Sequence, residues 1–136
     1  MEVKEKELAE DIVVMYVQAE TFREGIAAAF EKLGSISGGL SGRHVYGISQ
    51  CVGDEMVYRA CVKENFKGEC EQLGMPTYTI PKGKYFYATL NNWRENINQV
   101  SVLFEGFMGM PNIKKQTICL EDYVSDTEML AMVQRA

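Results

Sequence analysis

Tyr16-Val17-Gln18-Ala19-Glu20-Thr21-Phe22-Arg23-Glu24-Gly25-Ile26 is echoed 71 positions later by Tyr87-Ala88-Thr89-Leu90-Asn91-Asn92-Trp93-Arg94-Glu95-Asn96-Ile97. The Tyr, the Arg-Glu pair and the Ile recur in register, and Trp93 takes the place of Phe22. Carried on without a gap, the same offset sets Ala60 and Val62 on Ala131 and Val133, giving seven identities over the 47 positions from Tyr16 to Val62. That number is only about twice chance for ordinary residue frequencies. The weight therefore falls on whether the two stretches carry the same elements in the same order.

They do. Ile12 to Val17 is a β-branched and aromatic run that reads as a strand. Thr21-Phe22-Arg23-Glu24 has the form of a capping box, with Thr21 as N-cap and Glu24 reaching back. Phe22, Ile26, Ala29, Phe30 and Leu33 then recur at helical spacing, which predicts an amphipathic helix of about three turns stopped at Gly34. A loop rich in Gly and Ser follows over 34–42. Strand-like runs at His44 to Gln50 and Glu55 to Glu64 flank a hairpin turn at Cys51-Val52-Gly53-Asp54. After a polar connection at about 65–75 the order repeats: a strand segment from Thr77 to Leu90 broken at Pro81-Lys82-Gly83, a helix from about Trp93 to Met108, and strands at Gln116 to Val124 and Glu128 to Gln134. The predicted architecture is α+β, two β-α-β-β modules related by a pseudo-two-fold axis, with two helices on one face of a mostly antiparallel sheet and a cleft between them. Module one spans about 1–65, the connection about 66–75 and module two about 76–136, together a single domain.

Bulk properties agree. At 136 residues, 46% apolar and 24% charged, the chain is one globular domain long enough to bury roughly two thirds of its unfolded surface without a disulfide or structural metal. Nineteen acidic against fourteen basic side chains give a net charge of −5 and a pI near 4.9. That argues against direct nucleic-acid binding, which needs a basic face. No apolar run could serve as the core of a signal peptide or span a bilayer, so a cytoplasmic location is the expectation. Cys51, Cys61, Cys70 and Cys119 lack C-x-x-C spacing and read as reduced thiols, and no metal site is expected.

Chemistry is expected in the cleft, since apolar pockets with a few polar groups are the usual ligand sites. Its candidate floor is Thr117-Ile118-Cys119-Leu120-Glu121-Asp122-Tyr123. Alternation puts Cys119, Glu121 and Tyr123 on one face and Ile118, Leu120 and Asp122 on the other, and by itself leaves open which face the helices cover. If the covered face is that of Glu121, a carboxylate lies part-buried beside an aromatic ring, and must either hold a proton or await a cation. A ring face suits a lipophilic cation. Trp93, the only tryptophan, opens the second helix beside the sheet and is the best wall residue among many aromatics. By the 71-residue offset, Gln50 is the counterpart of Glu121 and Tyr46 of Thr117, so the other side of the cleft would carry Tyr46 and Gln50. No G-x-G-x-x-G, P-loop, G-x-S-x-G or H-E-x-x-H occurs, and a single histidine removes most metal and Ser-His-Asp schemes.

Ile80-Pro81-Lys82-Gly83-Lys84-Tyr85 resembles the I-P-x-G-x-Y strand of the GyrI-like domain, the effector-binding domain of bacterial transcription activators, and Glu121-Asp122-Tyr123 is similar to its E-x-Y element. The likeness covers almost the whole chain. It departs from the pattern in the final strand, Glu128 to Gln134, which lacks the proline usual there, and in having no helix-turn-helix before residue 1. The resemblance implies two β-α-β-β modules and a cleft that binds aromatic or cationic compounds over an acidic residue. It places that acid at Glu121 and adds Tyr123 and Tyr85 as ligand contacts. The chain then looks like a stand-alone small-molecule binding protein with no cofactor, using Glu121 for charge and Trp93, Tyr85, Tyr123 and Tyr46 for stacking. Two alternatives follow from the same family: a hydrolase of cyclopropane-containing genotoxins, with Glu121 as its catalytic base or electrostatic stabiliser, and an interaction module for a protein partner such as DNA gyrase. Haem binding through His44 is the weakest reading.

Overall fold

The computed structural model describes all residues from Met1 to Ala136. Eight strands form one antiparallel sheet: β1 (Lys4–Leu8), β2 (Ile12–Gln18), β3 (Val45–Val52), β4 (Glu55–Lys63), β5 (Thr77–Ile80), β6 (Gly83–Asn91), β7 (Cys119–Tyr123) and β8 (Glu128–Gln134). Three helices complete it: α1 (Ile26–Ser37), α2 (Glu69–Leu73) and α3 (Gln99–Met108). Across the sheet the order is β1-β6-β8-β7-β3-β4-β2-β5. The α+β architecture expected from the repeat is present, and β7 and β3 sit at its centre.

The edges of this sheet are exchanged. β1 belongs by sequence to the first module yet pairs with β6 of the second, while β5 of the second pairs with β2 of the first. Only residues 9–11 link β1 to β2, which lie six positions apart in the strand order. In a flat sheet six strand spacings amount to ~29 Å, and three connecting residues reach at most ~14 Å. The sheet must therefore curl into a half-barrel, and the two short connectors meet where it nearly closes: the Lys82 amide donates to Asp11 Oδ1 at 2.8 Å.

The two faces have separate cores. The concave face is filled by strand residues such as Val14, Tyr46, Ile48, Cys61, Ile80, Tyr85, Leu120 and Met132, without a helical member. On the convex face α1 packs Ala29 and Leu33 against Met15, Tyr58, Ala60 and Val62. There α3 packs Phe107 against Ala88, Met129, Ala131 and Val133. Each helix covers one module and leaves the central strands β3 and β7 beneath the gap between them.

Several local expectations are corrected. No side-chain cap forms at α1, whose N-cap is Gly25; Arg23 takes a positive φ of 74°, and the chain makes turns over 21–25 before the helix begins. The helix runs past Gly34 to Ser37 and ends on Gly38, whose φ of 79° is the left-handed conformation that glycine tolerates best. The second helix starts at Gln99, because 92–98 are spent in successive turns. α2 lies within the polar connection expected at about 65–75.

The repeat offset needs one correction with larger consequences. β2 pairs with β4 as β6 pairs with β8 in a register that preserves 71, since Met15↔Val62 maps onto Phe86↔Val133. The α3–β7 connector (109–118) is three residues longer than the α1–β3 connector (38–44), so β3 maps onto β7 with an offset of 74. Glu121 thus corresponds to Gly47, directly opposite it in the β3–β7 ladder, and not to Gln50.

Candidate functional site

Cross-strand neighbours share a face, so the pairs Ser49↔Cys119, Gly47↔Glu121 and Val45↔Tyr123 place all six residues on the convex, helix-covered side. Glu121 is 7% exposed at the floor of the gap between α1 and α3. Its Oε1 accepts two hydrogen bonds, from the Tyr58 hydroxyl at 3.0 Å and the Tyr123 hydroxyl at 2.5 Å. Oε2 accepts none, and no Lys or Arg lies at ion-pair distance.

Aromatic rings close around this carboxyl. Phe30 of α1 meets Tyr58 and Tyr123 edge-on, with centroids 6.2 and 6.4 Å away. Trp93 meets Tyr123 edge-on at 4.8 Å and donates its indole N–H to the Ser125 carbonyl. The site draws on both modules: Phe30, Gly47 and Tyr58 come from the first, Trp93, Glu121 and Tyr123 from the second. Gly47 makes room for it, because a Cβ there would fall 2.7 Å from Glu121 Oε1 and closer still to the Tyr58 hydroxyl.

Burial pushes the Glu121 carboxyl above the usual range, and the two donating hydroxyls pull it back in part. Both phenols are raised by burial and then by the neighbouring charge of Glu121, so they remain hydrogen-bond donors at any ordinary pH. Cys119, next along the same face, is pushed up to about 11 by burial, with Glu121 adding to the effect. The arrangement can hold a proton on Glu121, or hold a negative charge that two hydroxyls stabilise and that only a cation could neutralise.

Of the residues read from the sequence, Glu121, Tyr123 and Trp93 are together here. Tyr46, Gln50 and Tyr85 are not. Tyr46 pairs with Asp122 and, like Tyr85, fills the concave core; the Tyr85 hydroxyl donates to the Pro81 carbonyl. Gln50 lies two positions from Ile48 on that same concave face and accepts from Arg59 at 2.9 Å. For Tyr46 and Gln50, read from the offset, the physical reason is parity: the three-residue difference between connectors is odd, and an odd shift turns a strand's residues to the other face. His44 is also on the concave side, with Nε2 2.6 Å from Asp122 Oδ1 and its ring stacked on Tyr46. No group of three or more His, Cys, Asp or Glu converges on a common point.

Phe30, Gly47 and Tyr58 were missed. A glycine inside a strand was the available signal for Gly47, since it often marks a close approach by another group. Two cavities lie away from these rings, one of about 250 Å³ between the N-terminal residues, β6 and Leu103, the other of about 410 Å³ beside Ile12, Lys63 and Phe66. No helix is long and apolar enough to cross a membrane.

No protein-family model and no curated sequence matches the chain. Solved structures match its fold. An integron cassette protein from the mobile metagenome of Vibrio cholerae superposes with a TM-score of 0.73 at 14% identity, over 98% of this chain and 95% of the other. SAV2435, solved bound to tetraphenylphosphonium, gives 0.63 at 14% identity over 98% and 94%. A hydrolase from Listeria innocua gives 0.56 at 9% identity over 99% and 92%. At these identities the likeness is one of fold: the chain shares the α+β architecture of all three.

Proposed function

We propose that the chain binds a small aromatic or lipophilic cation between α1 and α3, in the manner of GyrI-like effector-binding domains, with Glu121 as counter-charge. The observation that carries this reading is the uncompensated carboxyl: Glu121 is buried, held on one oxygen by two phenols, walled by four rings and without a cation. A bound cation would supply the missing charge while the rings supply cation–π and stacking contacts. The tetraphenylphosphonium complex of the fold neighbour SAV2435 supports the same ligand class. Trp93 offers its ring from the turn segment before α3, where its indole N–H donates to the Ser125 carbonyl and its backbone amide to that of Thr127.

The test is a tetraphenylphosphonium titration followed through Trp93 fluorescence. A saturable change that Glu121→Gln weakens at least about tenfold is expected for a charge-assisted contact. An unsaturable response, or equal affinity in the variant, would sink the proposal. A second reading draws on the hydrolase among the fold neighbours: a carboxyl with a raised proton affinity could act as a general acid or base. Turnover of a strained genotoxin by the wild type, abolished in Glu121→Gln, would favour it over simple binding.

A further inference from the structure

We propose a second site on the concave face, centred on Arg59, that takes an oxyanion such as a carboxylate or phosphate group. Arg59 projects from β4 and has no carboxylate partner. Its guanidinium carbon lies 5.3 Å from the ring centroid of Tyr16 on β2 and 5.1 Å from that of Tyr78 on β5. Nη1 donates to Gln50 Oε1 at 2.9 Å, while Nε is buried and bonds to nothing. One of five N–H donors is thus satisfied by the protein.

Arg43 shares the buried, unbonded Nε but differs in having a counter-ion. Arg43 is clamped by both oxygens of Glu69 and by the carbonyls of Ser37 and Lys63. Arg59 has two rings and one amide oxygen in place of a counter-ion. Cation–π contact returns only part of the hydration that a guanidinium loses, so charge there remains uncompensated in a chain whose net charge is −5.

The geometry points to an anion approaching the edge of the guanidinium. Tyr16 and Tyr78 sit against it, Nε is enclosed and one Nη1 hydrogen is committed to Gln50, so the second Nη1 hydrogen and those of Nη2 are the fork of donors that no protein group takes. That fork matches the two oxygens of a carboxylate or phosphate. Gln50 adds to it. Its Oε1 is fixed by Arg59, which leaves its amide N–H donors, unused within the protein, beside the fork. The Tyr16 and Tyr78 hydroxyls make no hydrogen bond within the protein either. The site requires nothing from Glu121, which lies on the opposite face of the sheet.

The experiment follows the Arg59 Nε–H resonance by NMR during titration with inorganic phosphate and, separately, with benzoate. A saturable shift with at least one of them is expected, and the tighter of the two identifies a phosphate or a carboxylate as the natural group. Gln50→Glu places a carboxylate where the amide sits, neutralises the guanidinium from within and should weaken the response at least about tenfold. Arg59→Gln removes the fork while keeping polar bulk, and should abolish anion binding measured by calorimetry. Absence of a saturable shift with either probe, or a response unchanged in Gln50→Glu, overturns the assignment.

Discussion

Gly47 and Glu121 face each other across the central β3–β7 ladder as pseudo-symmetry mates, one without a side chain and one with the buried carboxyl. The axis that relates the modules passes between them, so the site is asymmetric where the fold is most symmetric. Gly47→Ala would drive a methyl group into the Tyr58 hydroxyl and Glu121 Oε1. We expect a loss of about 1–3 kcal/mol, read as a lower urea midpoint, together with weaker tetraphenylphosphonium binding. A variant as stable as the wild type would show that the carboxyl has room that this packing denies it.

Glu121 makes stability depend on pH in a defined direction. Its folded-state affinity for protons is raised, so between its unfolded value, near 4.5, and the raised folded value the native state holds more protons than the unfolded chain. Stability is then greatest below that window and falls as pH rises through it. Glu121→Gln should flatten this slope and gain on the order of 1 kcal/mol at neutral pH. Thermal unfolding of both proteins from pH 4 to 8 measures it, and parallel profiles would contradict it.

The same titration governs binding. A cation prefers the ionised carboxylate, so tetraphenylphosphonium affinity should rise with pH through the raised Glu121 value and level off above it. An affinity independent of pH would mean that the charge of Glu121 does not contribute.

Tyr58→Phe removes one of the two donors that hold the carboxylate down. Glu121 should then titrate higher still, visible as a displaced carboxyl carbon resonance, and the protein should lose about 1–3 kcal/mol. Tyr46→Phe, on the concave face, should leave tetraphenylphosphonium affinity within about twofold of wild type.

Arg43 and Glu69 tie α2 to the end of α1 and to β4. The guanidinium and the Asn65 amide hold the Glu69 carboxyl below its usual range, so this contribution is complete above the unfolded value and is lost as pH falls through the folded one. Glu69→Gln should cost about 2 kcal/mol, between an exposed and a buried pair, and urea midpoints above pH 6 report it.

The repeat made the fold readable because Tyr16 and Tyr87, Arg23-Glu24 and Arg94-Glu95, and Ala60 and Ala131 mark segments whose spacing is conserved between modules. Between Gly38 and Ala60 the offset has no identity to anchor it. That is where the three extra residues before β7 enter, and they carried Gln50 and Tyr46 to the wrong face. Glu121, Tyr123 and Trp93 come from one module, where alternation puts the first two on one face; the resemblance to the E-x-Y element chose that face, and Trp93 was found although its helix starts six residues later, at Gln99. Phe30, Gly47 and Tyr58 approach from the other module, and only tertiary pairing brings them in. The edge exchange left no local trace, because Lys4–Leu8 reads as a charged segment whose partner, β6, lies nearly eighty residues away.

That exchange makes the two halves interdependent in a way that could serve protein engineering. Cut within the turn before α2, the chain would yield two fragments, each bearing the outermost strand that the other's sheet needs. Neither would be complete alone, and on mixing they would complement one another. The Trp93–Tyr123–Phe30 cluster, built from both, would then report reassembly by its fluorescence.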